Sequence, residues 1–245
     1  MKNLNIPVGI SDFERIRELN YYYVDKTGLL TYTNSVLHTM QKYICISRPR
    51  RFGKSTAANM LTAYYSRGCD AEQIFSQFEI AKDSGFKKYL NKYNTISVNM
   101  QEILSRSRSI YELIERFNKL LIRDLKKEYP DVDYFDDTDV IECMQDVYSQ
   151  KKQAFIVILD EWDCIFREYK EDKEAQEKYL DFLRDLLKDK AYIHLAYMTG
   201  ILPIKKYGTH SALNMFDEFS MIDPGPLAQY VGFTENEVKK LCGQY

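Results

Sequence analysis

Two short stretches hold the residue types that could act together on a polyphosphate. The first runs Arg48-Pro49-Arg50-Arg51-Phe52-Gly53-Lys54-Ser55-Thr56, and the second, about a hundred residues downstream, is Leu159-Asp160-Glu161-Trp162-Asp163. A polyphosphate is held most readily by backbone N–H groups at a helix N-terminus with a cation beside them. Pro49, Arg50, Arg51, Phe52, Gly53, Lys54, Ser55 and Thr56 read as that cradle. Gly53 lets the main chain approach phosphate oxygens without a Cβ in the way. Lys54 would set its ammonium against the β- and γ-phosphates, and Ser55 would offer its hydroxyl to Mg2+. The full pattern is G-x-x-x-x-G-K-[ST]. Arg48 stands where its first glycine would be, and Pro49 pushes Arg48 into an extended conformation, so the chain must turn another way. By itself the Gly-Lys-Ser string is also compatible with an ordinary helix start whose cations face solvent.

The second stretch supplies the complementary charge. Ala154 to Leu159 is an apolar run without alternation, the pattern of a strand buried on both faces in the middle of a parallel sheet. Ionised groups at the end of such a strand must be solvated or face a cation. Asp160 would hold Mg2+, directly or through water, and Glu161 would polarise the water that attacks the γ-phosphate. An isolated run of this kind also reads as a strand followed by an acidic turn; its pairing with Gly-Lys-Ser favours the nucleotide site. Asp163 either orients Glu161 or the loop, or merely begins the next segment. Thr199, near the end of a strand from His194 to Gly200, is the candidate sensor of the γ-phosphate. The catalytic set is therefore Lys54, Glu161 and Thr199, and the metal set Ser55 and Asp160. Lys205 and Lys206 either reach a phosphate or are plain surface lysines.

The elements that must position these groups are legible from periodicity. Tyr43 to Ser47 is an apolar strand feeding the loop. Ala57, Met60, Leu61, Tyr64 and Tyr65 form one buried helical face after it, with Gly68 placed to stop the helix. Thr95 to Met100 is a β-rich strand, with Asn99 and Gln101 near the end where open parallel sheets place their ligands. Ser109 and Glu112 make a capping box for a helix that runs to Tyr129 and is closed by Pro130. A second helix surrounds Val140 to Tyr148. Residues 166–178 read as a solvated helix face continued by Tyr179, Phe182, Leu183, Leu186 and Leu187. Phe219 to Ile222 suggests a last strand, and Thr234 to Glu237 caps a closing helix with Val238 and Leu241 on its apolar side. Before the loop, Phe13, Ile16 and Leu19 form a short helical pattern. The Tyr21 to Thr27 segment either wraps over a bound base or covers the core, with Asp25 and Lys26 read as a pair.

Composition bounds the class. The hydrophobic fraction of 45% and charged fraction of 29% are those of a globular α/β chain. No apolar run reaches a membrane span, and the N-terminus lacks the apolar core of a secretory signal, so a cytoplasmic location is expected. The five cysteines are scattered without Cys-x-x-Cys spacing, which argues against zinc and against a disulfide framework. His38, His194 and His210 are scattered too, and none reads as a metal ligand. A net charge of −2 gives no general attraction to nucleic acid, so any such contact would be local or indirect.

Ile-Pro-Val-Gly-Ile-Ser-Asp-Phe at 6–13, Tyr-Val-Asp-Lys-Thr at 23–27, the 48–55 string, Leu-Asp-Glu-Trp-Asp at 159–163, Thr-Gly-Ile at 199–201 and Gly-Phe-Thr-Glu-Asn-Glu-Val at 232–238 together resemble the bacterial AAA-ATPase-like family. The resemblance implies a P-loop NTPase of three αβα layers, with a mainly parallel sheet of about five strands in the order 5-1-4-3-2. It also implies that arginine at position 48 is ordinary, and that Gly53, Lys54, Ser55, Asp160 and Glu161 match the nucleotide site. The expected organisation is an N-terminal segment over 1–35, an ATPase domain over 36–230 and a helix over 231–245. That helix would lead toward a PD-(D/E)XK-type nuclease domain such as the family commonly carries and this chain lacks. The expected function is Mg2+-dependent binding and hydrolysis of ATP, gating that nuclease or another effector, with self-association possible and no membrane partner. The alternative is an ATP-dependent switch with negligible hydrolysis, in which Arg48, Arg50 and Arg51 hold phosphates or a partner. A P-loop kinase finds no acceptor-site motif.

Overall fold

A computed structural model describes residues 11–204 and 211–243. In chain order the elements are α1 (Phe13–Glu18), α2 (Gly28–Val36), β1 (Tyr43–Ser47), α3 (Lys54–Tyr65), the single turns α4 (Glu72–Phe75) and α5 (Phe86–Tyr89), and β2 (Asn94–Asn99). They continue with α6 (Met100–Ser105), α7 (Ile110–Glu128), α8 (Val140–Lys151), β3 (Phe155–Asp160), α9 (Cys164–Glu168), α10 (Lys173–Leu187), β4 (Ile193–Gly200), β5 (Asp217–Phe219) and α11 (Glu235–Cys242). Among the described residues the sheet has five strands in the order β2-β3-β4-β1-β5, and every pairing is parallel. Read from the other edge this is 5-1-4-3-2, as expected.

The apolar runs explain the layers. All six residues of β3 are buried, and they alternate between two cores. Phe155, Val157 and Leu159 face one core with Phe117 of α7, Val147 of α8 and Leu183 of α10. Ile156 and Ile158 face the other with Met60, Leu61 and Tyr64 of α3 and with Leu29 and Leu30 of α2. A strand buried on both faces has no solvent side to carry polar residues, so its first ionisable group falls at the C-terminal edge. That edge is where β1 hands over to α3 and where β3 and β4 end.

Local chemistry fixes the boundaries. The Ser109 side chain accepts the Glu112 N–H, while Glu112 reaches back to the Arg108 N–H, so the box closes one residue further out than its usual form. The capping box of Thr234 and Glu237 is complete. Three expectations need correction. The helix read through 166–187 is broken: α9 ends at Glu168 and α10 starts at Lys173, because Asp172 caps the Ala175 N–H and the Gln176 amide bonds the Tyr169 and Lys170 carbonyls. The last strand, Asp217–Phe219, begins earlier than the run Phe219 to Ile222 and ends at its first residue, since the Ser220 N–H bonds the Asp223 carbonyl and turns the rest of that run out of the sheet. Asp25 and Lys26 are also not partners of each other. Asp25 accepts the Thr27 and Glu79 N–H groups, and Lys26 pairs with Glu237 of α11 at 2.6 Å.

The N-terminal edge of the sheet holds a contact the sequence hides. His38, after α2, and His194, in β4, meet edge to face with ring centroids 4.0 Å apart, and the His38 N–H bonds the His194 carbonyl. Burial, with His38 and Lys42 adding positive charge, pushes His194 down to about 4. The unfolded chain therefore takes up a proton near the ordinary histidine value while the folded chain does not, so this site weakens folding as pH falls from about 6.5 toward 4. The loss is about 2 kcal/mol after allowing for partial exposure. Urea midpoints at pH 7 and pH 4.5 check it: His194→Gln should lose that much less stability on acidification than wild type, and parallel losses would remove histidine as the cause.

Candidate functional site

The loop and the acidic strand end meet at one carboxylate. The Ser55 hydroxyl donates to Asp160 Oδ2 at 2.6 Å across 105 residues of sequence. Thr199 donates to Oδ1 of the same group, and the Asn99 amide lies 3.4 Å from Oδ2. The Glu161 N–H bonds Oδ1 at 3.0 Å. Asp160 is thus the meeting point of β2, β3, β4 and α3, all at their loop-bearing ends. A hydroxyl and a carboxylate side by side are hard oxygen donors, the set Mg2+ takes when phosphate and water supply the rest of its shell. Among the described residues there is no cluster of three or more His, Cys, Asp or Glu able to hold a metal, so any ion here would lean on Ser55, Asp160 and the substrate.

The loop itself has the shape its residues demand. Gly53 sits at φ 78°, in the left-handed region, and a Cβ built there would meet no atom within 4 Å. It is the backbone conformation, not crowding, that favours glycine there. Arg51 is left-handed as well, at φ 69°. Lys54 opens α3, is buried, and donates to the Pro49 carbonyl at 3.1 Å. Pro49 thus contributes an acceptor to the loop, having no N–H of its own. Burial pushes the Lys54 ammonium below its ordinary range, while Glu161, Asp160 and Asp163 pull it back up. The lysine therefore shares its field with the acidic cluster.

The remaining expected residues divide. Arg50 and Arg51 are exposed on the outer loop, and Thr56 lies in the first turn of α3. Phe52 packs at Gly232, where a Cβ would come within 2.8 Å of its ring. Arg48 is turned inward, 2% exposed, and its guanidinium donates to the Phe219 carbonyl at 2.8 Å and the Ser47 carbonyl at 3.2 Å. It ties β5 to β1, whereas Arg50 and Arg51, with which the switch reading groups it, lie exposed on the loop. Lys205, Lys206 and His210 lie outside the described residues.

A family model described as a predicted AAA-ATPase matches residues 7–209. The chain belongs to this predicted AAA-ATPase family. The "Uncharacterized protein in vnfD 5'region" of Azotobacter chroococcum mcd 1 is 24% identical over 249 residues, which cover 97% of this chain and 45% of that protein. The chain thus spans less than half the length of this curated relative. Among solved structures, the Aeropyrum pernix ORC2 protein, determined as ADPNP-ADP complexes, is 13% identical with a TM-score of 0.49, covering 94% of this chain and 55% of its own.

In this predicted AAA-ATPase two further residues complete the acidic end. Asp163 is fully buried, and its Oδ2 accepts the N–H groups of Ile201 at 3.0 Å and Leu202 at 2.8 Å, pinning the segment that follows Thr199. Gly200 is obligatory at that crossing, because a Cβ there would come within 2.6 Å of Trp162 Nε1 and 3.0 Å of the Asp163 carboxyl carbon. Arg167 of α9 donates to Glu161 Oε2 and, at 3.2 Å, to Gln101 Oε1. Sequence reasoning passed over Arg167. The usable signal was its spacing four residues after Asp163, the separation that sets two side chains on one side of a helical turn.

Proposed function

We propose that this chain is a Mg2+-dependent domain that binds and hydrolyses ATP, and that it gates an effector such as a nuclease domain. The observation carrying this reading is the Ser55–Asp160 contact at 2.6 Å, which sets the phosphate loop against the acidic strand end. Family membership supports ATP as the nucleotide. Ser55 and Asp160 would hold Mg2+, which when bound supplies charge stabilisation to the phosphates. Lys54 would pair with the β- and γ-phosphates, and Thr199 would sense the γ-phosphate through its bond to Asp160. Glu161 would take the proton of the attacking water as the new oxygen–phosphorus bond forms. The bond from the γ-phosphorus to the bridging oxygen breaks at the same time, and ADP leaves with the electron pair.

The reading is tested by titrating the protein with ATP and with GTP, with and without Mg2+. ATP binding strengthened by Mg2+ is expected, and Lys54→Ala should weaken it by roughly ten- to a hundredfold, the loss of one charge-assisted contact to phosphate. Equal affinity in the folded Lys54→Ala variant would sink the assignment. A second reading, a switch with negligible turnover, is favoured by one contact: the Glu161 carboxylate is already engaged by Arg167. Among the described residues no helix is long and apolar enough to cross a membrane.

A further inference from the structure

The two edges of the sheet are built differently. At one edge β5 has three residues, two of them acidic, and a tight turn follows where the Ser220 N–H bonds the Asp223 carbonyl. A short, charged edge strand resists pairing with another chain. At the other edge β2 has six residues, Asn-Thr-Ile-Ser-Val-Asn, in unbroken register with β3. It carries none of the charges, prolines or bulges that blunt an edge. Just ahead of β2 the Tyr93 N–H bonds the Tyr65 carbonyl and the Tyr93 carbonyl takes the Arg67 N–H, so the bend after α3 covers the edge at that residue. Backbone groups of alternate residues point to the same side of a strand, so those of Thr95, Ser97 and Asn99 face outward as well. Ser97 and Asn99 are exposed. Beside Ser97 lies a groove of about 320 Å3 between β2, α6 and α7, with Val98, Phe117 and Leu121 among its apolar walls. Arg116, Leu120 and Asp124 line it too, at four-residue steps along one side of α7.

We infer that this edge pairs with a second copy of the chain, β2 against β2, in an antiparallel register centred on Ser97. The outward groups are symmetric about that residue. Setting Ser97 against Ser97 of the second copy and Thr95 against Asn99 uses all three residues and stops short of Tyr93, whose groups are taken. Between these pairs Ile96 falls opposite Val98, and both pack on the core that holds α7. A twofold axis perpendicular to the sheet keeps each face with its like, so a strand that is self-complementary in this register makes an isologous contact. The same axis serves the helix, because Ser97 and Leu120 line one groove. It sets α7 antiparallel to its copy about Leu120, an apolar side chain 38% exposed, and brings Arg116 opposite Asp124 twice over. Arg116 is open to such a partner, since it stands 3.7 Å from Glu112, too far for a hydrogen bond. The paired strand ends at Asn99, whose amide lies 3.4 Å from Asp160, so the contact between copies abuts the carboxylate at which loop and strand meet.

The test is sedimentation velocity of wild type, Ser97→Pro, Arg116→Asp, Asp124→Arg and the double variant Arg116→Asp/Asp124→Arg, at protein concentrations from about 1 to about 100 μM. Each is first shown to melt cooperatively. Wild type should sediment as a monomer–dimer mixture that shifts toward dimer with concentration. Ser97→Pro should stay monomeric throughout, because proline removes an N–H that faces outward and so costs the monomer no ladder bond. If that variant does not fold, Ser97→Lys stands in, since it sets two like charges face to face at the axis. Either single charge reversal should weaken the dimer roughly tenfold, as two symmetry-related contacts turn repulsive at once, and the double variant should recover wild-type affinity. A wild type still monomeric at about 100 μM overturns the pairing and leaves the edge to an extended segment of another protein. A dimer that persists in the folded Ser97 variant overturns it too, and places self-association elsewhere on the chain. A double variant no tighter than the single ones overturns the register about Leu120 and with it the axis at Ser97.

Discussion

Glu161→Gln is expected to lower ATP hydrolysis by roughly a hundred- to ten-thousandfold while leaving ATP binding close to wild type. The substitution keeps the shape of the side chain and its backbone position and removes only the capacity to accept a proton. Ser55, Asp160 and Lys54, which would hold Mg2+ and the phosphates, are bonded to other groups and need not move. The loss should therefore fall on kcat and spare the binding constant, the pattern of an interaction made only in the transition state. The measurement is phosphate release at saturating ATP beside an equilibrium titration. Rates within a factor of about three of wild type would assign proton transfer elsewhere.

How much of this was legible from the sequence depends on whether the determining interaction is local. The order strand, loop, helix around Lys54 is written in consecutive residues, and β3 announces itself by an unbroken apolar run ending in Asp160. Both are properties of one segment, and the structure builds them as read. The break between α9 and α10 was not legible because the run 166–187 keeps a helical pattern throughout. What interrupts it is side-chain capping, Asp172 on Ala175 and Gln176 on two carbonyls, a choice that competes locally with the helix. Arg48 read as a loop cation because its neighbours Arg50 and Arg51 are loop cations. Its real partner, the Phe219 carbonyl, lies 171 residues away. His38 and His194 meet only because β4 pairs with β1 behind α2, so their contact depends on the topology. The Arg167–Glu161 pair is the intermediate case: its spacing is local, but its meaning requires knowing that Glu161 faces a phosphate loop.

Asp163→Ala should cost about 3 kcal/mol of folding stability, the largest effect expected of any side chain at this site that is not proposed to touch the nucleotide. The carboxylate is fully buried and accepts two backbone N–H groups, from Ile201 and Leu202, at 3.0 and 2.8 Å. Alanine would leave both donors short of an acceptor and Arg167 without its nearest buried counter-charge beyond Glu161. Partial exposure of Ile201 and Leu202 lets water recover part of the loss, which keeps the figure below the sum of two fully buried unsatisfied donors. Asp163→Asn should fall between the two, since its amide oxygen still accepts while the charge is gone. Urea unfolding read by Trp162, the chain's one tryptophan and the residue immediately before Asp163, measures it directly. A change under about 0.5 kcal/mol would mean that the segment after Thr199 is held by something else.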